Sequence, residues 1–313
     1  MYISKRERYR GALVGVLAGD ALGAPYETWN SEKVLEDFKK RGGLVPFEYP
    51  DPWGHDSTFP AGRPTDDSDH TAALAESLVA RKGLDQADLY YRLRRVLREH
   101  VSPLWSGKAV GAGKTTRTML RPETWEESQA LSSDGAFPSN GSLMRSAPLA
   151  LFFGSGEKVC MNTVRHMSEV THRHEDAFRS CAFYIAAMTN ILTKQSDPLF
   201  EYKLVKKYFP KEHPLVFECS EKPRDPEKWP GRGAAVLTLH TGLWALLTAD
   251  DFRDGITKVV ALGGDTDTYA AVAGGLLGAK FGLEGIPKEW REVLLGKEKM
   301  IELADQLYYM AHA

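Results

Sequence analysis

Two short stretches of this sequence set carboxylates beside hydroxyls. One is Thr65-Asp66-Asp67-Ser68-Asp69-His70-Thr71; the other is Gly263-Gly264-Asp265-Thr266-Asp267-Thr268. Each stands where a helix should begin, so the plainer reading is N-capping, with the acids facing the positive end of the helix dipole. Capping uses one or two such residues. Three acids with no Lys or Arg among them call instead for a cation, and a second helix start with the same chemistry strengthens that reading. Carboxylate and hydroxyl oxygens suit Mg²⁺, Mn²⁺ or Ca²⁺ rather than zinc or copper.

Other polar residues interrupt apolar segments. Asp20 and Glu27 bracket the end of the first apolar helix, and buried carboxylates are rare unless paired or functional. Asn140-Gly141-Ser142-Leu143-Met144-Arg145 reads as the opening of another helix, plainly a capped one with a solvent-facing Arg145. His172-Arg173-His174 falls at a helix start, where ligand contact or capping outweighs metal binding. Gly107 to Thr116 ends like a phosphate loop, but G-x-x-x-x-G-K-T needs glycine where Lys108 stands, and no buried strand precedes it. A glycine-rich loop lying against a ligand remains open there.

The segments that must position these residues read as helices. Apolar residues recur at helical spacing over 6–22, 66–81, 86–99, 141–153, 157–170, 175–192, 234–247, 252–262, 268–281 and 299–309. Only 44–49 and 214–219 resemble short strands, each bounded by Pro or Gly. Nothing alternates strand with helix, so a parallel sheet is not expected. Glu221 to Gly233 is the most linker-like stretch, short enough to be a surface loop. Gly11 to Pro25 and Val272 to Pro287 both run Gly and Ala through apolar helix. Glycine costs ~1 kcal/mol against Ala inside a helix, so this pattern implies close helix packing.

Composition bounds the function classes. The chain has 313 residues, 42% hydrophobic and 26% charged, which suits a soluble globular protein with a real core. Lys+Arg 40 against Asp+Glu 42 argues against a dedicated nucleic-acid binder. No apolar run reaches the ~18 residues of a membrane helix, and the charged N-terminus does not read as a signal peptide. Cys160, Cys181 and Cys219 form no CxxC pair, so a reducing, cytoplasmic setting is expected.

In order along the chain, several motifs resemble those of the ADP-ribosylglycohydrolase family, the group of dinitrogenase-reductase-activating glycohydrolases and ADP-ribosyl-arginine hydrolases. They are Gly19-Asp20-Ala21-Leu22-Gly23 with Glu27, Thr65-Asp66-Asp67, Gly111-Ala112-Gly113 with Thr115-Thr116, Asn140 to Arg145, Thr171 to His174 and Gly263 to Thr268. The resemblance spans about residues 6 to 285. It implies an all-α fold, a compact orthogonal helical bundle, taken as one domain over residues 1–313. It implies two Mg²⁺, with Mn²⁺ an alternative, held by Thr65, Asp66, Asp67, Asp265, Asp267 and Thr268. Glu27, Asp66 and Asp267 become the catalytic candidates. Phe137, Ser139, Asn140, Gly141, Ser142, Met144, His172, Gly111 and Gly113 become the substrate-binding set, with Phe137 a platform for adenine and His172 near the diphosphate and ribose. The sequence departs from the family pattern at Ser68-Asp69-His70 and at Glu175, where proline is common.

The implied activity is hydrolysis of the glycosidic bond between ADP-ribose and an acceptor, foremost protein arginine. The substrate would be an ADP-ribosylated protein, with nucleic acid only as a modified acceptor, and the enzyme a monomer. Other linkages (serine, poly-ADP-ribose, O-acetyl-ADP-ribose, nucleic acid) stay open, as does an ADP-ribose-binding sensor or immunity protein. A structural relative without chemistry is disfavoured, because all six metal-site residues are present.

Overall fold

The computed structural model describes residues 3–50, 58–132, 137–154, 159–194 and 233–312. Among these the fold is all-α. Its helices are α1 (Lys5–Gly23), α2 (Ser31–Arg41), α3 (Asp66–Arg81), α4 (Gln86–Glu99), α5 (Lys114–Met119), α6 (Trp125–Gln129) and α7 (Ala147–Phe152). Then come α8 (Met161–Glu169), α9 (Glu175–Lys194), α10 (Ala235–Thr248), α11 (Phe252–Val260), α12 (Thr266–Phe281), α13 (Lys288–Arg291) and α14 (Lys297–His312). The described strand pairing is one antiparallel pair, β1 (Tyr49–Pro50) with β2 (Thr58–Phe59).

Helices α1 and α12 form the spine, and their small residues explain why. Gly11, Gly15, Gly19 and Gly23 recur every fourth position, so they line one face of α1. A Cβ on any of them would strike main-chain carbonyls of α12, those of Gly278, Gly274, Ala270 and Thr266 in that order. The reversed order makes the helices antiparallel, with main chain against main chain and i±4 rows meeting. The C-terminal end of α1 therefore meets the N-terminal start of α12, where the Thr266 hydroxyl donates to the Gly23 carbonyl at 2.9 Å. Helices α9, α10 and α11 pack on α12, and α3 and α14 pack on α1.

Helices α3, α4 and α12 fall where periodicity puts them, within two residues. The expected strand at 44–49 shrinks to Tyr49–Pro50, because Pro46 interrupts it. The expected helix at 141–153 begins only at Ala147. Pro148 suits a first turn but would break a helix begun at Gly141. Helix α2 carries no apolar stripe beyond Val34 and Phe38, its buried residues; its capping by Asn30 and left-handed Gly42 is what marks it. The expected strand at 214–219, the loop from Glu221 to Arg232 and the start of the helix expected from Glu157 lie outside the described residues.

Candidate active site

The α1–α12 junction and the start of α3 converge on one cleft of about 430 Å³. Asp20, in the last turns of α1, is wholly buried. Its carboxylate accepts the Thr65 N–H at 3.0 Å and the Thr65 hydroxyl at 2.8 Å. It also accepts the Ser68 N–H at 3.0 Å and the Ser68 hydroxyl at 2.5 Å. Asp20 thus caps α3 from another helix and fixes Asp66 and Asp67 at the cleft. Burial raises its own pKa, and these hydrogen bonds oppose the rise.

Glu27 follows the turn at Ala24–Tyr26. The next residue, Thr28, adopts left-handed φ 69°. Its N–H donates to the Gly264 carbonyl at 2.7 Å, and the Gly264 N–H donates back to the Trp29 carbonyl at 2.8 Å. Gly263 and Gly264 have φ 70° and 89°, which favours glycine at both. This strap holds Glu27 against the start of α12, where carboxylate oxygens of Glu27, Asp265 and Asp267 lie within 4.8 Å of one another.

Capping does not account for these acids. Asp265 is the N-cap of α12 but makes no capping hydrogen bond. Its carboxylate instead accepts the Asn140 amide at 2.7 Å. Asp67 Oδ2 accepts the Thr268 hydroxyl at 3.3 Å, while Asp67 Oδ1 is buried without a partner. Burial pushes Asp66, Asp67 and Asp267 well above the usual carboxylate range, and the neighbouring acids push further. Glu27 is raised to about 7 by burial, then by Asp265 and Asp20. Lys114 is the one Lys or Arg among the described residues that line the cleft. A buried oxygen set with this excess negative charge fits hard divalent cations.

The opposite wall is built on buried contacts. Arg145 is not solvent-facing but fully buried. It donates to the Gly141 carbonyl at 3.0 Å and the Thr171 hydroxyl at 2.7 Å. Since helix α7 starts beyond it, Arg145 can turn inward and hold the 140–145 loop. His172 Nδ1 lies 2.7 Å from the Thr171 hydroxyl. A Cβ on Gly141 would overlap the His172 ring, so glycine brings loop and ring together. Burial, then the Arg145 charge, lowers His172 well below the ordinary histidine value, so it is neutral. His174 instead caps α9, its Nδ1 accepting the Asp176 N–H at 3.1 Å. Gly111, at φ 104°, passes so close to Asp66 that a Cβ would strike Oδ1. The Ser139 hydroxyl reaches Thr115 Oγ1 at 3.1 Å and ties the first turn of α5 to the Phe137–Asn140 segment.

The cleft thus gathers Glu27, Asp66, Asp67, Asp265, Asp267 and Thr268 with Gly111, Gly113, Phe137, Ser139, Asn140, Gly141, Met144 and His172. Thr65 and Ser142 are fully buried and not among its lining residues. Thr65 is held by Asp20, and the Ser142 hydroxyl accepts from Ser168 at 2.9 Å. Thr28 and Lys114 also line the cleft, though sequence reasoning assigned them no role there. No spacing signals Thr28, whose place depends on its turn. Lys114 opens α5, directly after the glycine-rich stretch whose spacing fails as a phosphate loop.

Comparison with known proteins identifies the family. The sequence model of the ADP-ribosylglycohydrolase family matches residues 1–312. An ADP-ribosylarginine hydrolase, Tri1, of Serratia proteamaculans is 28% identical over 97% of this chain and 80% of its own. The ADP-ribosyl-[dinitrogen reductase] glycohydrolase of Rhodospirillum rubrum is 27% identical over 92% of this chain and 90% of its own. The human ADP-ribosylhydrolase ARH3 is 24% identical over 96% and 93%. A solved structure described as an ADP-ribosylglycohydrolase-related protein complex superposes with TM-score 0.73 at 30% identity, covering 98% of this chain and 99% of that one. With a family match over nearly every residue and the same all-α fold, the chain belongs to the ADP-ribosylglycohydrolase family of glycosyl hydrolases.

Proposed function

We propose that this enzyme releases ADP-ribose from protein arginine, hydrolysing the N-glycosidic bond between C1″ and the guanidinium. The observation that carries this reading is the acid cluster of Glu27, Asp66, Asp67, Asp265 and Asp267 facing the Asn140–Met144 loop across one cleft. The cleft volume is within the ~300–1,000 Å³ range of small-molecule sites. The relatives named for arginine-linked substrates support the choice of acceptor. No described helix is long and apolar enough to cross a membrane, and free Cys160 and Cys181 suit a reducing cytoplasm.

Asp66, Asp67, Asp265, Asp267 and Thr268, which line the cleft, would hold two Mg²⁺, or Mn²⁺ in their place, with Thr65 standing behind them against Asp20. Bound there, such cations would supply Lewis-acid chemistry, polarising oxygen ligands and acidifying a water. The chain's own groups do the rest. Half-exposed Phe137 stacks on the adenine at the mouth. Lys114 pairs with the diphosphate, and neutral His172 offers it a hydrogen bond. Glu27, a cleft carboxylate outside the proposed metal-ligand set, gives its proton to the departing guanidine nitrogen as the C1″–N bond breaks. Asp66 or Asp267 accepts the proton of the water whose oxygen joins C1″.

The test is release of free ADP-ribose from arginine-, serine-, O-acetyl- and nucleic-acid-linked substrates, with and without Mg²⁺. Mg²⁺-dependent release from ADP-ribosyl-arginine is expected. Preferred release from another linkage would reassign the acceptor, and release from none would overturn the hydrolase reading.

A further inference from the structure

We propose that His70 is a positioning residue for Asp66, donating a hydrogen bond that holds this carboxylate toward the bound cation. His70 follows Asp66 by one turn of α3, so the two side chains share a face. The imidazole has no solvent exposure, and neither ring nitrogen has a hydrogen-bond partner. A buried polar group without a partner destabilises a fold, so its presence asks for a role. Nδ1 lies 3.8 Å from Asp66 Oδ2, just beyond hydrogen-bond range. On the other side of the same carboxylate, Oδ1 abuts Gly111. Asp66 lines both the main cleft and a second cavity of about 330 Å³ behind the glycine-rich loop, and His70 lines that second cavity. The carboxylate therefore stands between the cleft and the ring. A neutral imidazole carries one N–H, which Nδ1 can present to the carboxylate. A small rotation of Asp66 brings Oδ2 to Nδ1–H and leaves Oδ1 for the cation.

The proposal rests on the metal reading of the site, and its test keeps the two apart. A hydrogen bond to a ligating group typically raises metal affinity by ~10–100-fold. Mn²⁺ binding to the full chain is measured by the EPR signal of free Mn²⁺, beside the thermal midpoint without metal. His70→Met is expected to keep or raise that midpoint and to weaken Mn²⁺ binding by about tenfold or more. His70→Asn, whose amide falls near the place of Nδ1, should retain most of the affinity. His70→Gln, whose amide falls nearer Nε2, should not, and this pair carries the test even if His70→Met does not fold. Wild-type affinity in His70→Met, or equal affinities in the Asn and Gln variants, would overturn the proposal while leaving the metal site standing. A wild-type protein that binds no Mn²⁺ would overturn both.

Discussion

Asp267 decides between a helix start that is merely capped and one that holds a cation. Its Oδ1 accepts the Thr268 N–H at 2.9 Å, which an asparagine oxygen could also accept. Asp267→Asn should therefore fold, with a metal-free midpoint equal to or above wild type, because one charge leaves a crowded cluster. Turnover should fall by orders of magnitude and recover in part at high Mg²⁺ or Mn²⁺. Wild-type turnover at low Mg²⁺ would refute the metal reading. Lys114 makes a second test. As the cleft's one Lys or Arg among the described residues, it should contribute through the diphosphate, so Lys114→Ala should raise KM about tenfold with little change in kcat. Steady-state rates on ADP-ribosyl-arginine give both constants, and an unchanged KM would place the diphosphate elsewhere. The acids are legible in the sequence because their types and spacing are chemical. The part played by Asp20 is not, because a carboxylate that caps a distant helix leaves no local pattern; only its interruption of an apolar run shows.

The glycine face of α1 is the element that brings these residues together. Gly15→Ala would drive a Cβ into the Gly274 carbonyl, which is main chain and cannot turn aside. Overpacking commonly costs ~1–3 kcal/mol, and a rigid backbone neighbour puts this case at the upper end or above. Gly83→Ala, where nothing lies within 4 Å, should be nearly neutral. Urea unfolding of the two variants measures the contrast, and equal midpoints would mean that α1 and α12 can separate at no cost. The paired Gly and Ala runs disclose close packing through their composition alone. They do not disclose that the helices run antiparallel with Gly23 beside Thr266, and that register is what joins Glu27 to Asp265. The main helices are readable from their apolar period. Charged α2 and the turns at 141–145 are not, since one buries too little to show a stripe and the other owes its shape to Arg145 beneath it.

Across the whole molecule the formal charge is only −2, yet five carboxylates share one cleft. Burial first, and mutual repulsion next, raises the pKa of Asp66, Asp67 and Asp267, with Glu27 at about 7. The folded state therefore holds protons that the unfolded chain gives up at ordinary carboxylate values near ~4. The protonated cluster contributes its full stability below that point, and the contribution is lost as pH rises through the folded values. Without metal, the thermal midpoint should fall from about pH 5 to about pH 8. Divalent cations compete with those protons and bind only the assembled site, so they should stabilise more at the higher pH. With saturating Mg²⁺ the fall should flatten or reverse, and at [Mg²⁺] of ~100 times Kd the gain is about 2.7 kcal/mol for a single site. In Asp267→Asn the metal-free slope should be shallower and the gain from Mg²⁺ smaller. Differential scanning calorimetry after EDTA dialysis, with and without returned Mg²⁺, measures all four curves. A midpoint independent of Mg²⁺ at every pH would show that the cluster keeps its protons in place of a cation.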